Sequence, residues 1–228
     1  MADYVRKTIL SQGYAHIKDI SLTPEQKTEY EVTLRTYQES RAKMMMSSSI
    51  VPEVKTKDGS LKVYATVYGT LSDAIGDISD GFMIALNNLY SSSRMLADAC
   101  IVEGLFLSKK SRRSLVRSES RAGVVKTTKD LFDMTFAAVS AIPEEGEKKI
   151  NTTLSKIERK VAFLNDQLTD PADKKLVWEN YLQEVNRLPR TPARLEASTD
   201  KGKLEVYRYK VDMLKRTVKS FLPPNKLP

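Results

Sequence analysis

The sequence predicts an all-α protein, a multi-helix bundle in two lobes with long heptad-patterned helices. Along most of the chain, apolar residues recur at alternating spacings of three and four, as they do on one face of a helix. Glycine and proline are scarce, with nine of each in 228 residues, which favours long regular elements. A parallel-sheet pattern and an internal repeat of roughly 20–50 residues are both missing from the sequence.

The first lobe, residues 1–108, opens with two predicted helices. A short one is expected from Tyr4 to Ile20. The second begins at Thr23-Pro24-Glu25-Gln26, where Thr23 can act as the N-cap and Gln26 completes a capping box. Farther on, Asp58-Gly59 is a turn signal, and a small hairpin and a loop are both open there.

A helix of about 30 residues is predicted next, because nine apolar or aromatic positions keep a seven-residue repeat. Glycines within this stretch each cost an exposed helix about 1 kcal/mol relative to alanine, so a break near Gly81 is the competing interpretation. A further helix that contains Met95, Leu96, Ala99, Val102 and Phe106 is expected to lead into the basic segment. The nine repeat positions are Leu61, Tyr64, Tyr68, Leu71, Ile75, Ile78, Phe82, Ala85 and Leu89.

Residues 109–126 form a basic connecting segment, and residues 127–228 form the second lobe with a short proline-rich tail. The second lobe is predicted to hold a helix from Thr128 or Asp130 to Ile142, a helix after Asp170-Pro171, and a last helix from about Leu204 to Phe221. Its most regular heptad is Ile150, Leu154, Ile157, Val161, Leu164 and Leu168. Such stripes pack within one chain by default, and pairing between chains is the alternative.

Catalytic and metal-binding signatures are missing. His16 is the only histidine and lies in no catalytic motif, and Cys100 is the only cysteine. No phosphate-binding glycine loop is present. Asp73, Asp77 and Asp80 do not match the spacing of a calcium loop. The sequence therefore predicts a protein that is not an enzyme and has no catalytic residue, metal or cofactor.

Positive charge is concentrated in two segments of a chain whose formal net charge is +8. Residues 109–129 contain eight basic residues and one acidic residue, and residues 187–228 contain eleven and four. Clustered Lys and Arg attract polyanions and release counterions on binding. If residues 109–121 are helical, Lys109, Arg113, Arg117 and Arg121 form one ladder. The predicted nucleic-acid-binding residues are Lys109, Lys110, Arg112, Arg113, Arg117, Arg121, Lys126, Lys129, Arg208, Lys215, Arg216 and Lys219.

We therefore expect a structural or assembly protein that binds a nucleic-acid backbone, with RNA favoured, and that self-associates through helical faces. The layout is similar to that of viral nucleoproteins, capsid proteins and matrix proteins, an analogy of architecture without a shared motif. A matrix-type layer on an anionic membrane surface and a helical protein–protein scaffold are the alternatives. Without an evident signal peptide or transmembrane segment, an intracellular, cytoplasmic location is expected.

Overall fold

The computed structural model describes residues 8–18, 22–45, 51–57, 61–75, 81–107, 115–121, 123–198 and 200–223. The chain divides into two compact units, Met1–Lys126 and Thr127–Pro228. Helices make up most of the regular structure, so the prediction of a multi-helix chain is confirmed. The first unit departs from a purely helical class, because it also contains a four-stranded sheet.

The sheet consists of β1 (Thr8–Ile17), β2 (Val51–Lys57), β3 (Leu61–Gly69) and β4 (Leu115–Arg121). Their order is β2-β3-β1-β4, and each neighbouring pair is antiparallel. Strands β2 and β3 are consecutive and directly paired, so the hairpin is the correct one of the two interpretations left open around Asp58-Gly59.

Two helix predictions in the first unit are wrong. The segment expected to be a helix from Tyr4 to Ile20 contains β1, and the long helix expected over residues 61–89 is β3, then α2 (Leu71–Ile75), then the start of α3 (Phe82–Leu107). The residues of β3 are mainly β-branched and aromatic, and such side chains pack well on a pleated surface. The break near Gly81 is correct, since α3 begins one residue later.

Helix α1 (Pro24–Met45) starts as its sequence predicts. The Thr23 backbone N–H donates to Gln26 Oε1 at 3.0 Å, and the Gln26 N–H donates to Thr23 Oγ1 at 3.3 Å. These reciprocal bonds form the predicted capping box.

Helix α3 lies against β1 and buries Leu86 and Leu89. In its C-terminal half, Val102 is 67% exposed and Phe106 is 76% exposed.

The second unit is helical throughout its described residues. It contains α4 (Val124–Ala141), α5 (Glu147–Gln167), α6 (Pro171–Asn186), α7 (Ala193–Glu196) and α8 (Lys201–Ser220). Helix α4 begins before the predicted start at Thr128 or Asp130, and its first residues belong to the first unit. All six residues of the stripe from Ile150 to Leu168 are buried. They pack within this chain, so this stripe is not free to pair with another chain. Phe136 on α4 is 62% exposed.

Candidate nucleic-acid interface

The twelve basic residues predicted to bind nucleic acid belong to both units. Four of them, Lys109, Lys110, Arg112 and Arg113, lie outside the described residues. Arg117 and Arg121 are on β4, and Lys126 and Lys129 are in the first two turns of α4. The remaining four, Arg208, Lys215, Arg216 and Lys219, are on α8.

The helical ladder expected for the basic segment does not form over residues 115–121, because this stretch is a strand hydrogen-bonded to β1. In a strand, residues of equal parity share one face of the sheet, and four residues span about 13 Å. Arg117 and Arg121 are therefore still on one side of the chain, but at more than twice their helical separation.

The strand register places three Lys or Arg residues and His16 in one row that crosses all four strands. Lys57 of β2 pairs with Lys62 of β3, Lys62 pairs with His16 of β1, and His16 pairs with Arg117 of β4. Cross-strand partners share a face of the sheet, so these four residues form a continuous row from one edge to the other. With about 4.8 Å between strands, the row is about 14 Å long. We call it the basic row.

Two further rows complete this polar face. The middle row runs Lys55, Tyr64, Tyr14, Glu119, and the outer row runs Glu53, Thr66, Gln12, Arg121. In the outer row, Gln12 Nε2 donates to Thr66 Oγ1 at 2.8 Å. The three rows contain five Lys or Arg residues and two Glu residues, so the face has an excess of positive charge even with His16 neutral.

The opposite face of the sheet is apolar. Ala15 and Ile17 of β1 alternate with the polar residues and are completely buried. Successive residues of a strand point to opposite faces, which separates these apolar residues from the polar rows. The polar face is itself partly covered, because Tyr14 of the middle row is 7% exposed and Thr66 of the outer row is 3% exposed.

Sequence reasoning missed Lys55, Lys57 and Lys62, and set His16 aside as a packing residue. A signal was present, since Lys55 and Lys57 have the period of a strand and lie just before the Asp58-Gly59 turn. The row itself depends on pairing between β1 and β4, whose residues are about 100 positions apart, and no local pattern specifies that register.

In the second unit, the predicted basic residues are not equivalent. Lys129 forms an ion pair with Asp133 one turn later, which satisfies its charge within the chain. Arg208 donates from Nη2 to Thr191 Oγ1 at 3.3 Å and from Nε to the Arg190 carbonyl at 3.4 Å. These bonds hold the loop after α6 against α8.

Lys215, Arg216 and Lys219 differ from these two residues. Arg216 and Lys219 are exposed, and Lys215 is partly exposed. Within the described residues these three have no ion pair.

Other kinds of site find no support in the described part of the chain. There, no three His, Cys, Asp or Glu side chains come together as metal ligands, although Asp77 and Asp80 lie outside the described residues. None of the described helices combines the length and the apolar composition needed to cross a bilayer. Comparison with known proteins finds no matching family model, no matching curated protein and no matching solved structure.

Proposed function

We propose that this protein is a non-enzymatic assembly protein that binds the sugar–phosphate backbone of RNA on the polar face of its sheet. The basic row is the observation that supports this function. Like charges placed directly opposite each other on neighbouring strands destabilise a sheet. The strand register sets Lys57 opposite Lys62, and two residues of like charge at neighbouring register positions favour a polyanion as ligand.

Backbone binding fits the chemistry of this face better than recognition of bases. Lys and Arg bind phosphate oxygens, and the planar fork of Arg117 can donate two hydrogen bonds to one phosphate. Proteins that stack bases use free aromatic rings. Tyr14, in the middle row, is only 7% exposed, so its ring is not a free platform. Contacts of this kind position a strand without reading its sequence.

The proposal includes a second set of residues on α8, namely Lys215, Arg216 and Lys219. It also includes the basic residues of the basic connecting segment, residues 109–126. Self-association and an intracellular location, where RNA is present, belong to the same proposal. The exposed apolar residues Val102 and Phe106 on α3 are suited to contact between copies. Light scattering at two protein concentrations tests that contact.

The experiment is a salt titration of binding to a single-stranded RNA oligonucleotide. Log affinity falls with log salt at a slope of about −0.7 for each phosphate neutralised on a single strand. The double variant Lys62→Gln/Arg117→Gln removes two contacts, so its slope is expected to be shallower by about 1.4. A variant with the slope of the wild type would overturn the proposal.

The matched control is Arg35→Gln/Arg94→Gln. It removes the same charge from two exposed helical positions of the first unit, on α1 and α3, and is expected to keep the wild-type slope. Flotation with vesicles containing anionic lipid distinguishes the membrane alternative. Binding to vesicles that depends on Lys62 and Arg117, without binding to RNA, would replace this proposal with the membrane-surface one.

A further inference from the structure

A groove between α5 and α8 gathers basic side chains that sequence reasoning did not select. It has a volume of about 570 Å³ and is lined by Glu147, Lys148, Asn151, Thr152, Ser155, Lys156, Arg159 and Lys210. Seven of these residues are on α5, and Lys210 reaches across from α8, where its Nζ donates to Ser155 Oγ at 3.4 Å. The groove is open and lined by polar and charged side chains, so it suits a charged ligand better than an apolar one.

The cations of the groove lack acidic partners. Lys148, Lys156, Arg159 and Lys210 take part in no ion pair among the described residues. Lys156 and Arg159 are three residues apart on α5, a spacing at which like charges destabilise a helix by a few tenths of a kcal/mol. A bound anion offsets this repulsion.

The one acidic residue of the lining is already neutralised. Glu147 Oε2 lies 2.9 Å from Lys203 Nζ, and this contact raises the pKa of Lys203 above its ordinary value. The groove therefore has four cations without a counter-charge of its own. Sequence reasoning missed them, because residues 144–186 contain more acidic than basic residues and the two kinds separate only when α5 and α8 pack.

Carboxylates bound the groove at both ends. Along the α5 side that faces α8, the residues run Glu147, Asn151, Ser155, Glu158. Glu158 lines the next and smaller cavity, of about 220 Å³, with the apolar residues Val161 and Leu214. The distance from Glu147 to Glu158 is about 16 Å along the helix axis. Glu147 is paired with Lys203, so Glu158 is the carboxylate that opposes a nucleic-acid strand continuing along this side of α5, whereas a compact anion need not extend past it.

We propose that this groove binds a small molecule with two or more adjacent phosphates, such as a nucleoside triphosphate or an inorganic polyphosphate. Lys148, Lys156, Arg159 and Lys210 bind the phosphate oxygens. The Ser155 hydroxyl, which accepts from Lys210, also donates to them, whereas the Thr152 hydroxyl donates to the Lys148 carbonyl. The Oδ1 atom of Asn151 is buried without a hydrogen-bond partner among the described residues. A nucleotide has hydroxyl and amino groups that can donate to it, whereas an inorganic polyphosphate has none. This inference is independent of the RNA proposal, because the groove lies within the second unit and the basic row in the first.

The test is calorimetric titration of the full chain with ATP and, separately, with sodium tripolyphosphate at physiological ionic strength. Both probes are expected to bind with 1:1 stoichiometry, and inorganic phosphate is expected to bind at least about tenfold more weakly, since it makes fewer charged hydrogen bonds. Tighter binding of ATP than of tripolyphosphate would identify a nucleotide as the ligand. Equal binding would identify the polyphosphate chain alone.

The variant Lys156→Gln/Arg159→Gln removes two exposed cations of the groove and is expected to weaken both probes by about tenfold or more. Its matched control is Lys175→Gln/Arg194→Gln, which removes one exposed Lys and one exposed Arg of the same unit outside the groove, and which is expected to bind like the wild type. Equal weakening in the two variants would overturn the proposal, since the effect would then be one of net charge. So would RNA binding that depends on Lys156 and Arg159 when neither small probe binds.

Discussion

The hydroxyl groups of Thr135 and Tyr181 lie 2.8 Å apart in the core of the helical unit and join α4 to α6. Thr135 also donates to the Leu131 carbonyl at 3.0 Å, so the Tyr181 hydroxyl is the donor of the bond between them. Both residues are completely buried, and the Tyr181 ring contacts Phe132 and Trp178 edge-on, with ring centroids 5.2 and 5.8 Å away. Burial raises the pKa of Tyr181 above its ordinary value, which keeps the hydroxyl protonated as a donor.

A double-mutant cycle tests this pair. Tyr181→Phe is expected to lower the free energy of unfolding by about 1 kcal/mol, the usual net contribution of one hydrogen bond. Thr135→Val is expected to cost more, about 1–3 kcal/mol, because it leaves the Tyr181 hydroxyl buried without a partner. The double variant is expected to be more stable than the sum of the two losses predicts. Urea unfolding followed by the fluorescence of the single tryptophan, Trp178, measures all three. Additive losses would mean that the two hydroxyls do not interact.

Alkaline pH is expected to destabilise the helical unit through Tyr207. Its hydroxyl donates to the Pro189 carbonyl, and burial raises its pKa to about 12 from an ordinary value of 10.0. The folded state holds this proton more tightly than the unfolded state. The stabilisation is therefore complete below about pH 10 and lost as the pH rises through about 12. Urea unfolding between about pH 9 and pH 11 should show a steeper loss of stability for the wild type than for Tyr207→Phe. Parallel curves would contradict this assignment.

The N-cap of α6 is expected to contribute measurably to stability. Asp170 Oδ1 accepts from the backbone N–H groups of Ala172 at 2.8 Å and Asp173 at 3.2 Å, ahead of Pro171 at the first helical position. Asp170→Ala should lower the free energy of unfolding by about 0.5–2 kcal/mol. Asp170→Asn is the control, since asparagine caps helices about equally well. Equal losses in the two variants would point to the charge rather than to the cap.

The buried stripe of α5 is expected to respond very differently from the exposed face of the same helix. Leu154 is 1% exposed, so Leu154→Ala should cost about 2–5 kcal/mol through the lost contacts and the cavity left behind. Phe163 is 55% exposed, and Phe163→Ala should change stability by about 0.5 kcal/mol or less. Thermal unfolding of both variants compares them directly. Similar losses would show that Phe163 is also part of a packed interface.

Features that depend on neighbours in the chain were predictable from the sequence. The capping box of Thr23 and Gln26, the start of α6 at Asp170-Pro171 and the apolar stripe of α5 each involve residues within one or two helical turns. Their physical basis is hydrogen bonding and burial along a single helix, so the residues themselves specify them.

The sheet was not predictable in this way. In β1 and β3, apolar residues fall at spacings that also satisfy a helical repeat, and a strand is stabilised only by partners elsewhere in the chain. The same limit applied to the candidate sites. The distribution of charge along the chain predicted Arg117 and Arg121 as binding residues. It did not indicate Lys57 and Lys62, which the strand register places in the same row as Arg117.

The sequence by itself determined the helical character of the second unit, the Asp170 cap of α6 and the excess of positive charge with the segments that contain it, because these follow from composition and short-range periodicity. Tertiary structure alone decided which of these charged residues lie side by side. Pairing of β1 with β4 aligns one basic row across the sheet, and packing of α5 beside α8 brings Lys210 to Ser155. Both arrangements depend on contacts between segments distant in the chain, whose formation depends on burial of the whole core and not on any local pattern.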